Sequence, residues 1–564
     1  MSLRSIRSIP SSNLTKLMTR RILTRGSCIA CCVLISSLSA GQDLLPPETS
    51  IATTIDHYVD ARLQEENVEA APSIDDAAFL RRLSLDLNGR IPTRQELNNF
   101  LAMDTATRRQ DAIEAFLSQV DFVFHQANEI DLLLLARIRE DREWREFLLQ
   151  AVKDRTSWSN LFTQIMLPEV THPGETAPGA YLRERVRELD DLTNDTAVLF
   201  FGVNISCAKC HDHPLVPDWE QDHYFGMASF FKRTYQTKSK LLAEHFTGDV
   251  KFTNVVGEEK QAAFMFLNGQ AAEEPKIELS DEKRKNLDEA IQKAKKEDDA
   301  KAPEVEFSPR EELVRLALEG DSHDFFARNI VNRIWARLIG RGLVTPLDQM
   351  HSDNPPSHPA LLDWLTRDLK QHDYDLKRLI AGIVGSEVYA RSCRWESESA
   401  VPEPSLFAVG VVRPLNPRQL ALSLQIASTS GDRLPGLDKG EDWEKQRADL
   451  ENRAARFANQ FPIPEDGFQV GTDEALFFSN SQQFEGEFLR TSDDRLVGEL
   501  KKIEDSVELI QTLVSTVYSR SAQEEEQQAM RTYLESATDD ASREDKIQQL
   551  VWALLASPEF RFNH

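Results

Sequence analysis

"SIDDAAFLRRLSLDLNGRIPTRQELNNFL", residues 73–101, predicts two consecutive helices and sets the fold class. Each helix has its own start signal: Ser73 with Asp76 three residues later, and Thr93 with Glu96 in the pattern of a capping box. In a capping box the two side chains bond to each other's backbone N–H groups, so the helix begins at a defined residue. The stretch therefore predicts one helix that begins after Ser73 and a second that begins after Thr93.

The interior of the first helix is amphipathic. Its apolar residues recur at the spacing of one helical face, namely Ala78, Phe79, Leu83 and Leu87. The pair Asn88-Gly89 ends this helix, because glycine readily takes the left-handed conformation that closes a helix. A pair of helices of this kind predicts a helical hydrophobic core.

Helical periodicity extends on both sides of this stretch. Residues 46–235 are predicted to form a first helical domain and residues 306–564 a second, which opens with the cap Ser308 and its capping-box partner Glu311. Between them, in residues 236–305, the short runs "DVKFTNVV" and "AAFMFLNG" predict a small β element. The predicted fold class is mainly α, with two helical domains and a small β-containing insertion between them.

A charged stretch, "LSDEKRKNLDEAIQKAKKEDDAKAP", closes the insertion. It has almost no apolar stripe, so it is predicted to be a solvated helix or a flexible linker. Deleting residues 280–301 is therefore expected to leave the melting temperature nearly unchanged.

Residues 1–41 have the pattern of a signal peptide that is removed from the mature protein. Arginines and lysines, with no acidic residue, precede a short apolar run and small residues suited to cleavage. The apolar run, residues 27–40, is shorter than the roughly 20 residues that a bilayer-spanning helix needs. The sequence predicts an exported protein, periplasmic or extracellular, with no integral membrane segment in the mature chain.

The chain is strongly acidic, with 92 Asp and Glu residues against 66 Lys and Arg and a net charge of −26 at pH 7. The electric field of so negative a protein repels the phosphates of nucleic acids and anionic lipid head groups. Nucleic acid and a membrane surface are therefore excluded as main partners.

Cysteines are few and unevenly placed. Of the six in the chain, three lie in the predicted signal peptide, and Cys207, Cys210 and Cys393 remain. Three thiols cannot build a disulfide scaffold. Cys393 is expected to be a buried free thiol.

"SCAKCHDHP", residues 206–214, contains the Cys-x-x-Cys-His pattern of c-type haem attachment. Thiols three residues apart on one helical turn face the same side, and the histidine that follows can bind the iron. The pattern assigns haem c to Cys207, Cys210 and His211, with His211 as the iron ligand. Met227 and His223 are the candidates for the sixth ligand.

Two other interpretations of this cluster stay open. Cys207, Cys210, His213 and His223 have the spacing of four ligands for tetrahedral zinc, which would leave the neighbouring histidine unused. A simple disulfide or redox pair between the two cysteines would need neither histidine.

No other catalytic motif is visible in the sequence. The G-x-S-x-G, H-E-x-x-H and G-x-G-x-x-G patterns do not occur, and carboxylates are too frequent for a glycosidase pair to be named. Asn332, Arg333 and Arg337 are expected to make ordinary ion pairs. The loop "HSDNPPSHP", residues 351–359, is expected to cap the helix that follows it. Whether the protein is an enzyme is left open.

Three segments, which occur in this order along the chain, carry a resemblance to a known family: "FLRRLSLDLNGRIPTRQEL", "CAKCHDHPLVPDWEQDHYFGMASFF" and "FARNIVNRIWARLIGRGLVTPLDQMHSDNPPSHPALLDWL". Over nearly the whole mature chain, the sequence resembles a planctomycete family of exported proteins. Those proteins pair an N-terminal cytochrome-like domain with a C-terminal planctomycete secreted domain, both of unknown function. The resemblance implies export and a haem-type motif at Cys207, Cys210 and His211. It also implies an association with sulfatase-like or polysaccharide-degrading proteins, and it implies no substrate.

The expected function is that of an exported protein that binds c-type haem through its first domain and exchanges electrons with a redox partner protein. The alternative is a non-redox interaction protein or an accessory to polysaccharide degradation, in which the Cys/His cluster is a structural metal site or a disulfide.

Overall fold

The computed structural model of the chain describes residues 44–135, 141–212, 216–276, 278–319, 324–440, 442–464 and 471–564. The predicted signal peptide, residues 1–41, and the zinc-ligand candidate His213 lie outside these ranges.

Helices fill the chain before the insertion. They are α1 (Ile51–Glu66), α2 (Asp76–Asn88), α3 (Arg94–Ala102), α4 (Arg108–Ser118), α5 (Val120–Leu135), α6 (Arg142–Lys153), α7 (Trp158–Met166), α8 (Pro168–Thr171), α9 (Ala180–Arg185), α10 (Leu189–Phe201) and α11 (Gln221–Phe231).

The insertion contains three two-stranded antiparallel sheets and one helix. The strands are β1 (Thr234–Gln236) with β2 (Leu242–Glu244), β3 (Lys251–Thr253) with β4 (Glu259–Gln261), and β5 (Phe264–Met265) with β6 (Ala271–Ala272). The helix is α12 (Asp281–Lys296). The β element predicted from the two short runs is therefore confirmed.

The remaining chain is helical apart from one short strand pair. The helices are α13 (Pro309–Glu319), α14 (Phe325–Ile339), α15 (Pro359–Gln371), α16 (Leu376–Val384), α17 (Pro417–Ser428), α18 (Trp443–Ala458), α19 (Thr472–Asn480), α20 (Gln482–Phe488), α21 (Leu496–Leu500), α22 (Ser506–Tyr518), α23 (Glu524–Glu535), α24 (Asp540–Leu555) and α25 (Pro558–Arg561). Strand β7 (Arg413–Pro414) pairs with β8 (Phe562–Asn563). The predicted fold class, mainly α with a small β-containing insertion, is confirmed.

The caps of α2 and α3 show where local sequence sets a helix end. The predicted capping box is present, since Thr93 and Glu96 bond to each other's backbone N–H groups. The start of α2 was predicted at Ser73, and this is wrong: Asp75 is the cap, with its Oδ1 accepting from the Ala78 N–H at 2.8 Å. Ser73 instead forms a backbone bridge with Arg391, a contact between segments far apart in sequence.

Among the described residues, two large hydrophobic clusters form most of the core, and α2 contributes to both. The first combines apolar side chains from helices on either side of the insertion, so α13 to α16 pack into the same core as α1 to α11. The second is built from residues 415–560, together with Leu85 and Ile91. Phe79, Leu83 and Leu87 of the same stretch belong to the first cluster. The stretch that predicts the helical fold therefore also joins its two cores.

The charged stretch of the insertion is a helix that buries two of its residues. It forms the 16-residue helix α12, and Ile291 is fully buried in a small cluster with Tyr235 and Ala243. The Lys238 N–H also donates to the Ala294 carbonyl at 2.8 Å. The solvated helix, one of the two predicted alternatives, is therefore present, and only the expectation that it has nothing to bury is wrong, because Ile291 packs with Tyr235 of β1 and Ala243 of β2.

Cys393 was predicted to be a buried free thiol. Cys393 is a free thiol, as predicted, and is half-buried, with its Sγ 3.4 Å from Arg82 Nη2. Burial raises the pKa of this thiol.

No helix within the described ranges is both long and apolar enough to cross a bilayer.

Candidate functional site

The Cys/His cluster follows directly from the end of α10. That helix closes at Gly202, whose φ of 70° lies in the left-handed region. A Cβ at this position would lie 2.8 Å from Asn329 Oδ1 and 3.1 Å from Met350 Sδ. Glycine is therefore required here both by the backbone conformation and by the close approach of two side chains.

Helix α14 satisfies the last carbonyl groups of α10. Asn329 Nδ2 donates to the Leu199 carbonyl at 2.7 Å, and Arg333 Nη2 donates to the Val198 carbonyl at 2.6 Å. Carbonyls at a helix C-terminus have no partner within their own helix. The second region of the chain thus holds the end of α10 in place. The sequence predicted ordinary ion pairs for this part of α14; Arg337 forms one with Glu129 at 3.8 Å, whereas Arg333 serves as a cap.

The cysteines lie on a separate turn rather than at the end of α10. Ser206–Lys209 forms a short 3-10 helix, and the Cys210 N–H donates to the Cys207 carbonyl at 3.3 Å. Asn204 begins the turn by accepting bonds at Oδ1 from the N–H and the hydroxyl of Ser206. Both cysteines are exposed and are free thiols.

A loop of the second region supports this turn. The Asn204 N–H donates to the Asp348 carbonyl at 2.9 Å, and Val203 pairs with Gln349 in a short antiparallel bridge. Farther along the same loop, the Ser352 N–H and hydroxyl both donate to the Asp218 carboxylate at 2.7 Å. The sequence placed no functional contact here, because nothing local to residues 348–352 shows that they meet a segment about 140 residues earlier.

Lys209 lies between the two cysteines and forms an ion pair with Asp190 on α10. Tyr224 on α11 donates its hydroxyl to the other oxygen of this carboxylate at 2.5 Å. The hydrogen bonds from Lys209 and Tyr224 lower the pKa of Asp190. Through Asp190 the turn is connected to α10 and α11, and its two thiols remain exposed.

His211 is exposed, and its ring is oriented by the backbone. Its Nδ1 lies 2.7 Å from the Asp212 carbonyl oxygen, so Nδ1 carries the proton in that contact and Nε2 keeps its lone pair. The Asp212 side chain accepts from the Gln221 N–H at 3.1 Å, which joins this segment to the start of α11. A hydrogen bond from one ring nitrogen commonly orients a histidine whose other nitrogen binds a metal.

The two candidates for a sixth ligand are placed differently. Met227 is fully buried in the first hydrophobic cluster, whereas Cys207, Cys210 and His211 are exposed. His223 is half-buried at the start of α11, and its Nδ1 accepts from the Glu220 N–H at 3.2 Å. Burial lowers the pKa of His223. Met227 is therefore not on the exposed surface that carries the thiols, whereas His223 is partly exposed.

The zinc ligand set cannot be completed within the described part of the chain. His213 is outside it, and no three His, Cys, Asp or Glu side chains in the described ranges converge as metal ligands would. Cys207, Cys210 and His223 are therefore not gathered at one point.

An apolar patch lies close to the turn. Gln221 connects the two: its Nε2 donates to the Lys209 carbonyl at 3.3 Å, and its Oε1 accepts from the Val255 N–H at 3.0 Å. Val255 and its neighbour Val256, on the turn between β3 and β4, expose 59% and 73% of their surface. The segment that carries these two exposed valines is therefore joined to the turn through Gln221.

Comparison with known families matches two segments of the chain. Residues 54–236 match PSCyt2, a protein of unknown function (DUF1549), and residues 309–460 match PSD1, a protein of unknown function (DUF1553). The pairing of two domains of unknown function that the sequence resemblance implied is thus confirmed. Neither a curated protein nor a solved structure matches the chain.

Proposed function

The chain belongs to the family that pairs these two domains of unknown function, and we propose that it is an exported electron-transfer protein that carries haem c on Cys207, Cys210 and His211. The observation that carries the proposal is the geometry of the exposed turn. Two free thiols lie on one 3-10 turn, and the next residue is an exposed histidine whose Nδ1 faces a backbone carbonyl.

The residues of the turn fit this cofactor in three respects. Covalent attachment needs two accessible thiols on one turn, which Cys207 and Cys210 supply. Iron ligation needs a histidine nitrogen with a free lone pair, which the contact of His211 Nδ1 with the Asp212 carbonyl leaves at Nε2. An apolar ring system needs apolar surface, and Val255 and Val256 are exposed on the segment that Gln221 joins to the turn.

When bound, haem c supplies transfer of one electron at a time. The residues of this chain would hold it, orient it and set its exposure. An attachment turn at the surface leaves the group accessible to a second protein, so we propose a redox partner protein rather than a small-molecule substrate. The chain's strong negative charge favours a partner with a basic contact surface.

The test uses protein produced with its signal peptide in a host that has haem-attachment machinery. Wild-type protein should show a Soret band that stays with the chain after acid-acetone extraction, because only thioether-bound haem survives that treatment. The double variant Cys207→Ser/Cys210→Ser should lose this band. Its far-ultraviolet circular dichroism should stay unchanged, because both residues are exposed.

Histidine variants separate haem from zinc. His211→Ala should impair haem attachment or change the iron spectrum, and His213→Ala should have little effect. The zinc interpretation predicts the reverse, with bound zinc lost on replacing His213 or His223 and retained on replacing His211. Wild-type protein that contains neither haem nor metal, with Cys207 and Cys210 joined in a disulfide, would contradict the proposal and favour the non-redox interaction protein.

A further inference from the structure

A cleft of about 600 Å³ opens among α5, α14 and α17, and its lining does not include the cysteine turn. The volume lies within the range of roughly 300–1,000 Å³ that is typical of small-molecule sites. Leu132, Ala336 and Ile463 give part of the lining an apolar character, whereas other lining residues carry charges or amide groups. The cleft therefore suits a small molecule that has both polar and apolar surface.

One ion pair of the lining, Asp86 with Arg413, has its hydrogen bonds satisfied within the protein. Arg413 Nη1 and Nη2 donate to the two oxygens of Asp86 at 2.8 and 2.7 Å. The Tyr389 hydroxyl and Asn563 Nδ2 donate to the same carboxylate at 2.8 and 3.0 Å. Asp86 is thus fully engaged, and we assign it a structural role.

A second ion pair of the lining, Glu129 with Arg337, is incomplete. Asn416 Nδ2 donates to Glu129 Oε1 at 2.9 Å, and Arg337 Nη2 donates to Gln126 Oε1 at 2.9 Å. The other two atoms, Glu129 Oε2 and Arg337 Nη1, lie 3.8 Å apart, which is beyond hydrogen-bond distance.

These two atoms stay accessible. Neither has a hydrogen-bond partner among the described residues, and neither is closed off from solvent as Arg337 Nε is. The two side chains keep 13% and 21% of their surface exposed. An acceptor and a donor without partners therefore lie side by side in the cleft.

The pKa of Glu129 agrees with this incomplete pairing. Burial raises the pKa of this carboxyl, and the opposing effects of Arg337 and Asn416 do not offset burial. A further hydrogen bond to the carboxylate would favour its ionised form. Glu129 thus lacks a donor that a ligand could supply.

The charges of the lining cancel. Asp86 balances Arg413, and Glu129 balances Arg337. The lining histidine, His125, is neutral, because burial lowers its pKa well below the usual value of 6.5. A charged ligand would leave a net charge in this partly buried space, which is costly. The lining therefore favours a neutral ligand.

We propose that this cleft binds a neutral sugar, one hydroxyl of which bridges Glu129 Oε2 and Arg337 Nη1. A hydroxyl donates and accepts through one oxygen, whereas a carboxylate only accepts and an ammonium group only donates. One hydroxyl oxygen within hydrogen-bond distance of both atoms closes the gap between them. The C–H face of the sugar ring lies against Leu132, Ala336 and Ile463. This site is separate from the proposed haem turn and does not depend on it.

Saturation-transfer NMR of the full chain with D-glucose, D-galactose, D-mannose and D-xylose tests the proposal. At least one of these sugars should bind saturably, and calorimetry should then give one molecule per chain. D-Glucuronate should bind more weakly than D-glucose, because it brings a negative charge into a lining whose charges already cancel. Absence of saturable binding by all four sugars, or tighter binding of D-glucuronate, would overturn the proposal.

Two variants test the bridge. In Glu129→Gln the amide oxygen keeps the bond from Asn416, and an NH₂ group replaces the free acceptor. Arg337→Met removes the donor. Each variant should weaken binding of the sugar about tenfold, because each removes one hydrogen bond to a charged group. Circular dichroism shows which variants fold, and Arg337→Met serves if Glu129→Gln does not.

Glu487→Gln is the matched control. Glu487 Oε1 accepts from Arg495 Nη2 at 2.9 Å, so it also belongs to a partly buried Glu–Arg pair, but it does not line this cleft. Its replacement should leave the affinity for the sugar unchanged. An equal loss in Glu487→Gln, or wild-type affinity in both bridge variants, would contradict the proposal and leave a cleft that holds only water.

Discussion

Arg90 shows at the scale of a residue how this chain buries charge. Its guanidinium is fully buried and donates to both oxygens of Glu96 at 2.8 Å and to Asp121 Oδ1 at 2.9 Å. The buried Arg447 adds a second cation near Asp121. Charges without water are tolerated only when they are paired and hydrogen-bonded. The cluster is therefore expected to depend on every one of its members remaining ionised.

The free energy of unfolding should therefore fall in acid, because Asp121 is protonated there and loses its charge. Burial raises the pKa of this carboxyl, but the charges of Arg90 and Arg447 outweigh burial and hold the pKa at about 2, below its usual value of 3.8. A depressed pKa contributes stability that is present above the unfolded value and is lost as the pH falls through the folded one. Between about pH 4 and pH 2, the wild type should lose about 2 kcal/mol more of its unfolding free energy than Asp121→Asn.

Urea unfolding of the two proteins at several pH values measures this difference. Asp298→Asn, at an exposed position outside the cluster, should follow the wild type. A constant difference between wild type and Asp121→Asn across this range would show that Asp121 is not the group that titrates.

At the scale of an element, α12 shows how little apolar surface is needed to fix a helix. Most of its residues are charged, yet Ile291 and Ala294 are fully buried. Lys295 also places its ammonium 4.6 Å from the centroid of the Tyr235 ring. The helix is thus attached along one narrow line, with its other faces in water.

Replacing Ile291 by Ala should release this helix. Deleting a buried isoleucine side chain to alanine costs about 2–5 kcal/mol, and α12 has few other apolar contacts to compensate. Hydrogen exchange of the α12 amides should become markedly faster, while exchange in α14 stays as in wild type. Lys285→Ala, on the exposed face, is the control and should change neither. Unchanged protection of α12 in Ile291→Ala would restore the view of a solvated segment.

At the scale of the whole molecule, α2 couples the two hydrophobic clusters. Leu85 packs in the second cluster, while Leu83 and Leu87 pack in the first. Buried Arg81 on the same helix donates to the Val517 carbonyl at 3.2 Å and to the Phe560 carbonyl at 3.4 Å. One helix therefore packs in both clusters and is bonded to two segments of the C-terminal region, so the clusters should not unfold independently.

Leu85→Ala tests this coupling. The substitution should cost about 2–5 kcal/mol and should speed slow hydrogen exchange in α14, of the first cluster, as much as in α22, of the second. Leu509→Ala, which removes a side chain from the second cluster alone, should give the same pattern if unfolding is cooperative. Faster exchange confined to α22 in both variants would show that the clusters unfold separately.

Local sequence determined the helical fold class, the capping box at Thr93 and Glu96, the helix end at Gly89 and the short β runs of the insertion. Each depends on residues within one or two turns of one another, so its physical cause is visible in the order of the residues. The same holds for Cys207, Cys210 and His211, which form a recognisable motif because they are adjacent.

Tertiary structure decided the features that join distant segments. Glu96 was predicted as a cap and is also a buried partner of Arg90. Ile291 is an isolated apolar residue in its sequence, and only the position of Tyr235 makes it a core residue. Burial and ion pairing depend on which segments meet in space, and that is set by packing of the whole chain rather than by the periodicity of any one stretch.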